Sequence, residues 1–235
     1  MSRNTEAIIN ELRALSSAEK SEVFPRFFKT GKGEYGEDDR FLGVVVPNVR
    51  NVAKRYKDIS LEEIRCLMQS EWHEVRLCAL LIMVEKTKKA DETLKQHLFE
   101  LYLSVTDRIN NWDLVDLSCR FIVGEYLLDR DRDILYRLAD SKLLWDNRIA
   151  IVSTYAFIRQ GQLEDTYALS DLMMHHRHDL MHKAIGWMLR EAGKRDADRL
   201  YSYVLKNRAV MPRTMLRYAI EKFDPEQRKL LMQRV

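Results

Sequence analysis

Apolar residues recur along most of the chain at intervals of three and four, the spacing that gathers them on one side of an α-helix. Outside one glycine-rich stretch, no segment has the alternation of a β-strand. Ser60 opens a capping-box pattern, Pro47 suits a first helical turn, and Asp224-Pro225 pairs a cap with a helix-starting proline. The predicted helices span residues 5–14, 17–29, 48–57, 61–70, 73–89, 92–106, 111–128, 131–140, 145–160, 164–174, 179–193, 197–206, 212–222 and 225–233.

Five of these helices share a short pattern, in which a polar residue is followed two positions later by a small one. The pattern begins at Arg76, Asp116, Arg148, His182 and Arg217, at spacings of 40, 32, 34 and 35 residues. Helix pairs repeating at such a period are typical of α-solenoids, because each pair buries its apolar face only against its neighbours. The sequence therefore predicts an all-α, right-handed superhelical α-solenoid that forms a single domain over residues 1–235, with the second helix of each pair on the concave side.

The glycine-rich stretch "GKGEYG" (Gly31–Gly36) matches the G-x-G-x-x-G pattern of nucleotide-binding loops. That pattern binds phosphate only between a strand and a helix N-terminus. Here a helical segment precedes it and the acidic "EDD" follows it, which would repel phosphate. We therefore predict an ordered loop or a hairpin over residues 31–46.

The helix predicted at 111–128 has two contrasting faces. Apolar positions between Leu114 and Ile122 form its core face. Trp112, Asp116 and Arg120 fall on the opposite side, at i, i+4 and i+8. A tryptophan on a polar face suggests a functional surface.

Later helices have a similar polar face that carries aromatic residues. Cations neutralise phosphates and aromatic rings stack on bases or sugars, so this composition indicates nucleic acid as a partner. Two other interpretations stay open. Trp112 and Trp187 pack in the core or between repeats, and Asp116 and Arg148 form an ordinary ion pair. The faces comprise Arg148, Val152, Tyr155 and Arg159; then Lys183, Trp187, Arg190 and Lys194; then Arg213 and Arg217.

Composition narrows the protein class. No apolar run approaches the roughly 18 residues of a membrane span, and the N-terminus is polar and helical, so we expect a cytosolic protein. The net charge of +3 permits a nucleic-acid binder if the cations are segregated. Cys66, Cys78 and Cys119 are far apart and are expected to be buried thiols, while "HHRH" (His175–His178) is expected to be a solvated loop. Neither set predicts a metal site or a disulfide.

Four segments resemble, in order, the bacterial DNA alkylation repair family, the AlkD-like DNA glycosylases built of HEAT-like repeats. In that family a Trp-x-x-x-Asp pair, an Arg two helices later and a Trp in an "IGW" segment form the active cleft. The resemblance assigns these roles to Trp112, Asp116, Arg148 and Trp187. The segments are "FLGVVVPNVR" (Phe41–Arg50), "NNWDLVD" (Asn110–Asp116), "LWDNRIAIV" (Leu144–Val152) and "HKAIGWMLRE" (His182–Glu191).

The resemblance implies hydrolysis of the N-glycosidic bond of N3- or N7-alkylated purines in double-stranded DNA. No metal or organic cofactor is implied, and we expect a monomer in the cytoplasm, at the bacterial nucleoid. The side chains expected to bind DNA are Lys29, Lys32, Arg40, Arg120, Tyr155, Arg159, Lys183, Arg190, Lys194, Arg213 and Arg217.

The sequence also departs from the family pattern. Gly31–Arg40 resembles related members with a β-hairpin there, some of which bind branched DNA with little or no base excision. Phe27 stands where some active members have a Tyr, and Asn111 stands where a second Trp would precede Trp112. A non-catalytic binder of damaged or branched DNA is therefore the alternative function. A protein–protein adaptor is the second alternative, which the basic and aromatic faces disfavour.

Overall fold

The computed structural model describes residues 2–233; Met1, Arg234 and Val235, which the predicted 1–235 domain includes, lie outside the described residues. Within residues 2–233 the regular structure is helical, apart from one isolated β-bridge, so the predicted all-α class is confirmed. The α-helices are α1 (Arg3–Ala14), α2 (Ala18–Phe27), α3 (Val46–Arg55), α4 (Leu61–Met68), α5 (His73–Thr87), α6 (Glu92–Leu103), α7 (Trp112–Asp116), α8 (Asp133–Ala139), α9 (Leu144–Arg159), α10 (Glu164–Leu172), α11 (Asp179–Gly193), α12 (Ala197–Asn207), α13 (Arg213–Ala219) and α14 (Pro225–Leu231).

The chain forms two compact units, an N-terminal unit (Met1–Ile122) and a C-terminal unit (Val123–Val235). The interpretation of residues 1–235 as a single superhelical domain stays a prediction. In the N-terminal unit α5 is central, since α1, α3, α4, α6 and α7 all pack against it. Every residue of α5 from His73 to Val84 is buried, including His73, Glu74 and Arg76. Those groups must find partners inside the protein.

In the C-terminal unit, α9, α11 and α13 lie in a row, with α11 in contact with both neighbours. Helix α8 packs on α9, α10 packs on both α9 and α11, and α12 packs on α11. This is the stacking of helix pairs that the repeat spacing predicts. The predicted core positions of α9 and α11, such as Phe157, Ile158, Ile185 and Met188, are buried.

The predicted helix over residues 111–128 is wrong in its length. Helix α7 ends at Asp116, a turn follows, and Arg120–Gly124 is π-helical before further turns. The Ser118 hydroxyl donates to the backbone carbonyl of Leu114, a bond that competes with regular helix geometry. Gly124 approaches α9 so closely that a Cβ there would lie 2.4 Å from the carbonyl oxygen of Ser153. Hydrophobic periodicity does not reveal either contact.

The glycine-rich stretch is a loop of turns and not a hairpin, so the loop alternative is confirmed. A single bridge, Arg40 to Trp72, is the one β-type pairing within residues 2–233. The carboxylate of Glu34 accepts a hydrogen bond from the Gly31 backbone N–H at 2.9 Å. The carboxylate of Glu37 accepts one from the Gly33 N–H at 2.8 Å. Acidic side chains of the loop therefore occupy backbone donors that a phosphate would use.

Capping residues act as the sequence predicts. Ser60 and Glu63 form a reciprocal capping box at the start of α4. Asp224 accepts from the Gln227 N–H ahead of Pro225, the first residue of α14. Across residues 2–233, no helix combines the length and apolar content needed to cross a membrane.

The cysteines and histidines differ in part from expectation. Cys78 and Cys119 are buried thiols, but the prediction that Cys66 is buried is wrong, because it lies on the exposed side of the short helix α4. Between α10 and α11, His176 and His178 are half-buried, and each ring accepts a backbone N–H two residues ahead, at 3.0 and 3.2 Å. Among residues 2–233, no group of three His, Cys, Asp or Glu side chains is arranged to hold a metal ion.

Candidate active site

A pocket of about 420 Å³ lies in the N-terminal unit, and Trp112 and Asp116 both line it. Its walls come from the end of α2, the segment leading into α3, the start of α5, and α7. Aromatic and aliphatic side chains make up most of the surface. The lining residues are Phe24, Phe27, Phe28, Phe41, Val44, Val45, Val46, Pro47, His73, Glu74, Leu77, Trp112, Asp113, Asp116 and Leu117.

Aromatic rings are stacked along one wall of this pocket. The Phe28 ring lies between Trp112 and Phe41, with centroid distances of 5.5 and 4.9 Å and interplanar angles of 22° and 15°. Phe27 meets Trp112 edge-on at 5.8 Å. Phe27 is 60% exposed, which is unusual for a phenylalanine and leaves its ring available to a ligand. The wall presents π faces that attract cations.

Helix α7 places Trp112 and Asp116 one turn apart on the same side. Asn111 is its N-cap, and the Asn111 side-chain oxygen accepts a hydrogen bond from the Trp112 N–H at 2.9 Å. Trp112 and Asp116 are half-buried, whereas Leu114 and Val115 on the opposite face are buried. This division of faces agrees with the helical phase. The Asp116 carboxylate thus lies beside apolar walls, where its field is less screened than in water.

A buried ion network lies directly behind the pocket. The His73 Nδ1 is 2.9 Å from an Asp39 oxygen, and the His73 Nε2 is 2.9 Å from an Asp113 oxygen. The Arg76 guanidinium binds the other oxygen of Asp39 and donates to the Asn110 side chain at 3.0 Å. The side chains of His73, Asp39 and Arg76 are at most 2% exposed. The network joins the end of the glycine loop to α5 and α7.

The surroundings of His73 favour its charged form. Burial lowers the pKa of the His73 imidazole, but the charge and hydrogen bonds of Asp113 and Asp39 outweigh burial and raise the pKa from 6.5 to about 9. Burial raises the pKa of Asp39, yet His73 and Arg76 more than compensate and lower it below 3.8. At neutral pH the network therefore contains an imidazolium held between two carboxylates.

Glu74 fixes the segment that forms the pocket's second wall. Its carboxylate accepts hydrogen bonds from the backbone N–H groups of Leu42, Gly43 and Val44, at 2.9, 2.8 and 3.1 Å. Gly43 has a φ of +80°, and a Cβ there would lie 2.3 Å from the Ser17 carbonyl oxygen. The extended arm "FLGVVV" is therefore held in place by one buried acid and one obligatory glycine.

Our interpretation of the sequence missed His73, Asp39, Asp113 and Glu74. A signal was present, because "HEVRLCALLIMV" places His73, Glu74 and Arg76 in an otherwise apolar helix. A helix that is apolar on all sides is buried, so its polar residues must be paired. What the sequence does not reveal is which carboxylates pair with them.

The C-terminal unit contains the other two catalytic candidates, Arg148 and Trp187. The rings of Trp187 on α11 and Tyr155 on α9 lie 6.3 Å apart at 42°, and both side chains are half-buried. Arg148 is 5% exposed, and its Nη1 donates to the Leu180 carbonyl oxygen at 2.8 Å. Val152, on the same predicted polar face, is fully buried. The accessible part of that face is therefore its C-terminal half, because α9 is packed against α8, α10 and α11.

The predicted DNA-binding side chains reach the surface to different degrees. Arg120 is half-buried, with its guanidinium 4.4 Å from the Phe121 ring centre, and Lys183 and Arg190 are half-buried as well. The convergence of these residues, and of the four catalytic candidates, on one cleft stays a prediction. The exposed members are Lys29, Lys32, Arg40, Arg159, Lys194, Arg213 and Arg217.

Several of these cations are near carboxylates. The Lys183 and Lys194 ammonium groups each lie 2.7 Å from an acid one turn away, and Arg190 binds Glu221. Arg40 lies 2.5 Å from Glu71 in the N-terminal unit. Such surface pairs are weak because solvent screens them, so a phosphate displaces the acid at little cost.

Comparison with known proteins assigns a family. The family described as "DNA alkylation repair enzyme" matches residues 8–223. A solved structure described as "Predicted DNA alkylation repair enzyme from Enterococcus faecalis" is similar with a TM-score of 0.70 at 15% sequence identity, covering 89% of this chain and 97% of that one. A comparison with curated proteins gives no match. The structural likeness supports the fold, and the match over residues 8–223 shows that the chain belongs to the DNA alkylation repair enzyme family.

Proposed function

We propose that this protein is a monofunctional DNA glycosylase that hydrolyses the N-glycosidic bond of N3- or N7-alkylated purines in duplex DNA. The observation that supports this most directly is the pocket in which the Asp116 carboxylate adjoins a stacked aromatic wall. Membership of a DNA alkylation repair family is consistent with it.

The chemistry of such a substrate suits the pocket. A purine alkylated at N3 or N7 is cationic and leaves readily, and positive charge develops on the sugar as the C–N bond breaks. Asp116 stabilises that charge and orients the attacking water, which adds to the sugar carbon and releases a proton to solvent, while the neutral base departs with the electron pair of the broken bond. One positioned electrostatic group contributes about 3–4 kcal/mol to such a transition state. Trp112 and Phe27 offer π faces worth roughly 0.5–2 kcal/mol each to a cationic group.

The C-terminal unit supplies the DNA contacts in this proposal. Trp187 and Tyr155 form a half-buried aromatic pair suited to packing against a sugar or base. In this proposal Arg148 binds a phosphate beside the lesion. Arg159, the last residue of α9, and Lys194, which follows the last residue of α11, are exposed cations that neutralise flanking phosphates.

The test is a base-release assay on methylated duplex DNA, with 7-methylguanine and 3-methyladenine measured by chromatography. Asp116→Asn is expected to fold and to bind DNA, but to lose excision by about 10²- to 10³-fold. Asp129→Asn, in an exposed turn, is the matched control and should excise like the wild type. Equal excision by Asp116→Asn and the wild type would remove Asp116 from its role.

A non-catalytic binder of damaged or branched DNA is the second candidate. It is favoured by the glycine loop with its exposed Lys32, and by the Phe27 side chain, which has no hydroxyl to position water. This function predicts tight, salt-dependent binding of methylated or branched duplex DNA with no release of base. The same assay, run beside a binding titration, separates the two functions.

A further inference from the structure

The buried ion network connects the glycine loop to α7, and the proposed function needs these two elements to keep fixed relative positions. Asp39 lies at the end of the glycine loop, and His73 is the first residue of α5. Asp113 lies within α7 between Trp112 and Asp116. Gly36 brings the loop against the same place, because a Cβ there would lie 3.2 Å from the Asn111 amide nitrogen and 2.4 Å from the Phe28 carbonyl oxygen.

Helix α7 needs an external restraint. It has five residues, and a helix that short is not stable through its own hydrogen bonds. It is followed by a turn and a π-helical segment, so no longer helix continues its axis. The rotation of α7 about its axis decides where the Trp112 ring and the Asp116 carboxylate point.

We propose that His73 is a positioning residue, which orients Trp112 and Asp116 by holding Asp113 of α7 and Asp39 of the glycine loop through its two ring nitrogens. The predicted effect of His73 on the excision rate rests on the proposed glycosylase function. The predicted effect of His73 on the orientation of Trp112 does not depend on that function. His73 lines the rear of the pocket and acts through α7, so it is not itself assigned a catalytic step.

Two hydrogen bonds to carboxylates require a doubly protonated ring. A neutral imidazole has one N–H donor, so it could hold only one of the two acids. The groups that face His73 are Asp39 from the loop, Asp113 from α7 and, through Asp39, Arg76 from α5. The rings of Phe41 and Phe28 pack on the imidazole at 4.6 and 5.0 Å and exclude water from it.

Two substitutions separate the two bonds. His73→Asn places an amide nitrogen near the position of Nδ1, so it keeps the Asp39 bond and loses the Asp113 bond. His73→Gln places its amide nitrogen near Nε2, so it keeps the Asp113 bond and loses the Asp39 bond. Both remove one buried charge and one hydrogen bond, and we expect similar losses of thermal stability.

The inference predicts unequal effects on the pocket. In single-turnover excision, His73→Asn should lower the chemical rate by about 100-fold with little change in DNA affinity, because a shift of about 1 Å at a reacting group costs that much. His73→Gln should stay within about threefold of the wild type. If both variants lose rate only in proportion to stability, His73 is a structural residue and the inference is overturned.

A second readout does not depend on excision. The four tryptophans can be labelled with 5-fluorotryptophan, and the ¹⁹F signal of Trp112 can be assigned with Trp112→Phe. We expect this signal to move in His73→Asn, to stay in place in His73→Gln, and to titrate in the wild type with a midpoint near pH 9, where the His73 pKa lies. A Trp112 signal that responds to neither variant nor to pH overturns the inference, whether or not the variants fold well enough for kinetics.

The two readouts keep the two proposals apart. A wild type that releases no base while Trp112 responds as predicted refutes the glycosylase function and leaves the positioning role intact. A wild type that excises normally while Trp112 is insensitive to His73 refutes the positioning role and leaves the glycosylase function intact.

Discussion

The two units each present an aromatic and a charged candidate residue, but they hold them by different means. In the C-terminal unit, Trp187 and Arg148 lie on helices of 15 and 16 residues that pack on each other along apolar faces. In the N-terminal unit, Trp112 and Asp116 lie on a five-residue helix restrained by buried charges. A long amphipathic helix orients its side chains through packing, whereas a single turn depends on specific bonds.

This contrast indicates which unit loses more stability on substitution or on a change of pH. Apolar packing loses stability gradually as groups are removed, while a buried ion network fails when one member is lost, because its partner is left charged in a low-dielectric interior. The N-terminal unit is therefore expected to be the more sensitive to substitution and to pH. Three experiments can break or sharpen this comparison.

The largest expected difference is between two buried aspartates, one in each unit. Asp39→Ala leaves His73 and Arg76 with an uncompensated charge and should lower the free energy of unfolding by about 3–5 kcal/mol. Asp146→Ala, on α9, removes one bond from the Ser141 hydroxyl at 2.7 Å and should cost about 1–2 kcal/mol. Urea denaturation measures both losses. Equal losses would mean that the network does not distinguish the N-terminal unit.

The second test is the dependence of stability on pH, which should have opposite signs in the two units. The His73 pKa is about 9 in the folded state and 6.5 unfolded, so the folded state binds the extra proton between these values. Stability from His73 is full below pH 6.5 and falls by about 3 kcal/mol as pH rises to 9. Burial is the largest cause that lowers the pKa values of His176 and His178, and it outweighs the opposing charge of Asp179 at His178. The contribution of these two histidines to stability is therefore present above pH 6.5 and is lost in acid.

Hydrogen exchange, corrected for the intrinsic rate at each pH, reads the two responses separately. Amides of α5 should lose protection from pH 6.5 to 9, and amides at the start of α11 should lose it below pH 6.5. His73→Gln should abolish the response of α5 between pH 6.5 and 9 and leave the response of α11 unchanged. Burial raises the pKa of Cys78 to about 12, so the loss of stability that this thiol causes at still higher pH should remain in the variant. Identical pH responses in the two units would contradict the comparison.

The smallest effect separates a buried arginine from an exposed one on the same helix. Arg159→Ala should lower the slope of log affinity for duplex DNA against log salt by about 0.9 and leave stability unchanged. Arg148→Ala should lower the slope by the same amount and also cost about 1–3 kcal/mol, since it removes a charged donor from Leu180. A loss of stability without a change in the salt slope would show that Arg148 stabilises α11 and contacts no phosphate.

Much of the fold follows from local patterns. The predicted start and end of α11 are those of the structure, and those of α9 differ by one residue, because long segments with a helical period of apolar residues leave few alternatives. Helical phase identifies Trp112 and Asp116, because a large aromatic residue opposite an apolar stripe indicates a functional face. That indication holds even though the helix ends at Asp116. The prediction failed after Asp116, where the Ser118 hydroxyl and the close approach of Gly124 to α9 override propensity.

What the sequence determined by itself is the helical class, the repeat spacing, most helix limits and the side of α7 that carries Trp112 and Asp116, because these depend on residues within one or two helical turns. Only the tertiary structure decided that Asp39 and Asp113, which are 34 and 40 residues from His73, bond to the same ring, and that Arg148 is buried against Leu180. Partners so distant in sequence are brought together by packing, and no local periodicity encodes the pairing of one buried charge with another.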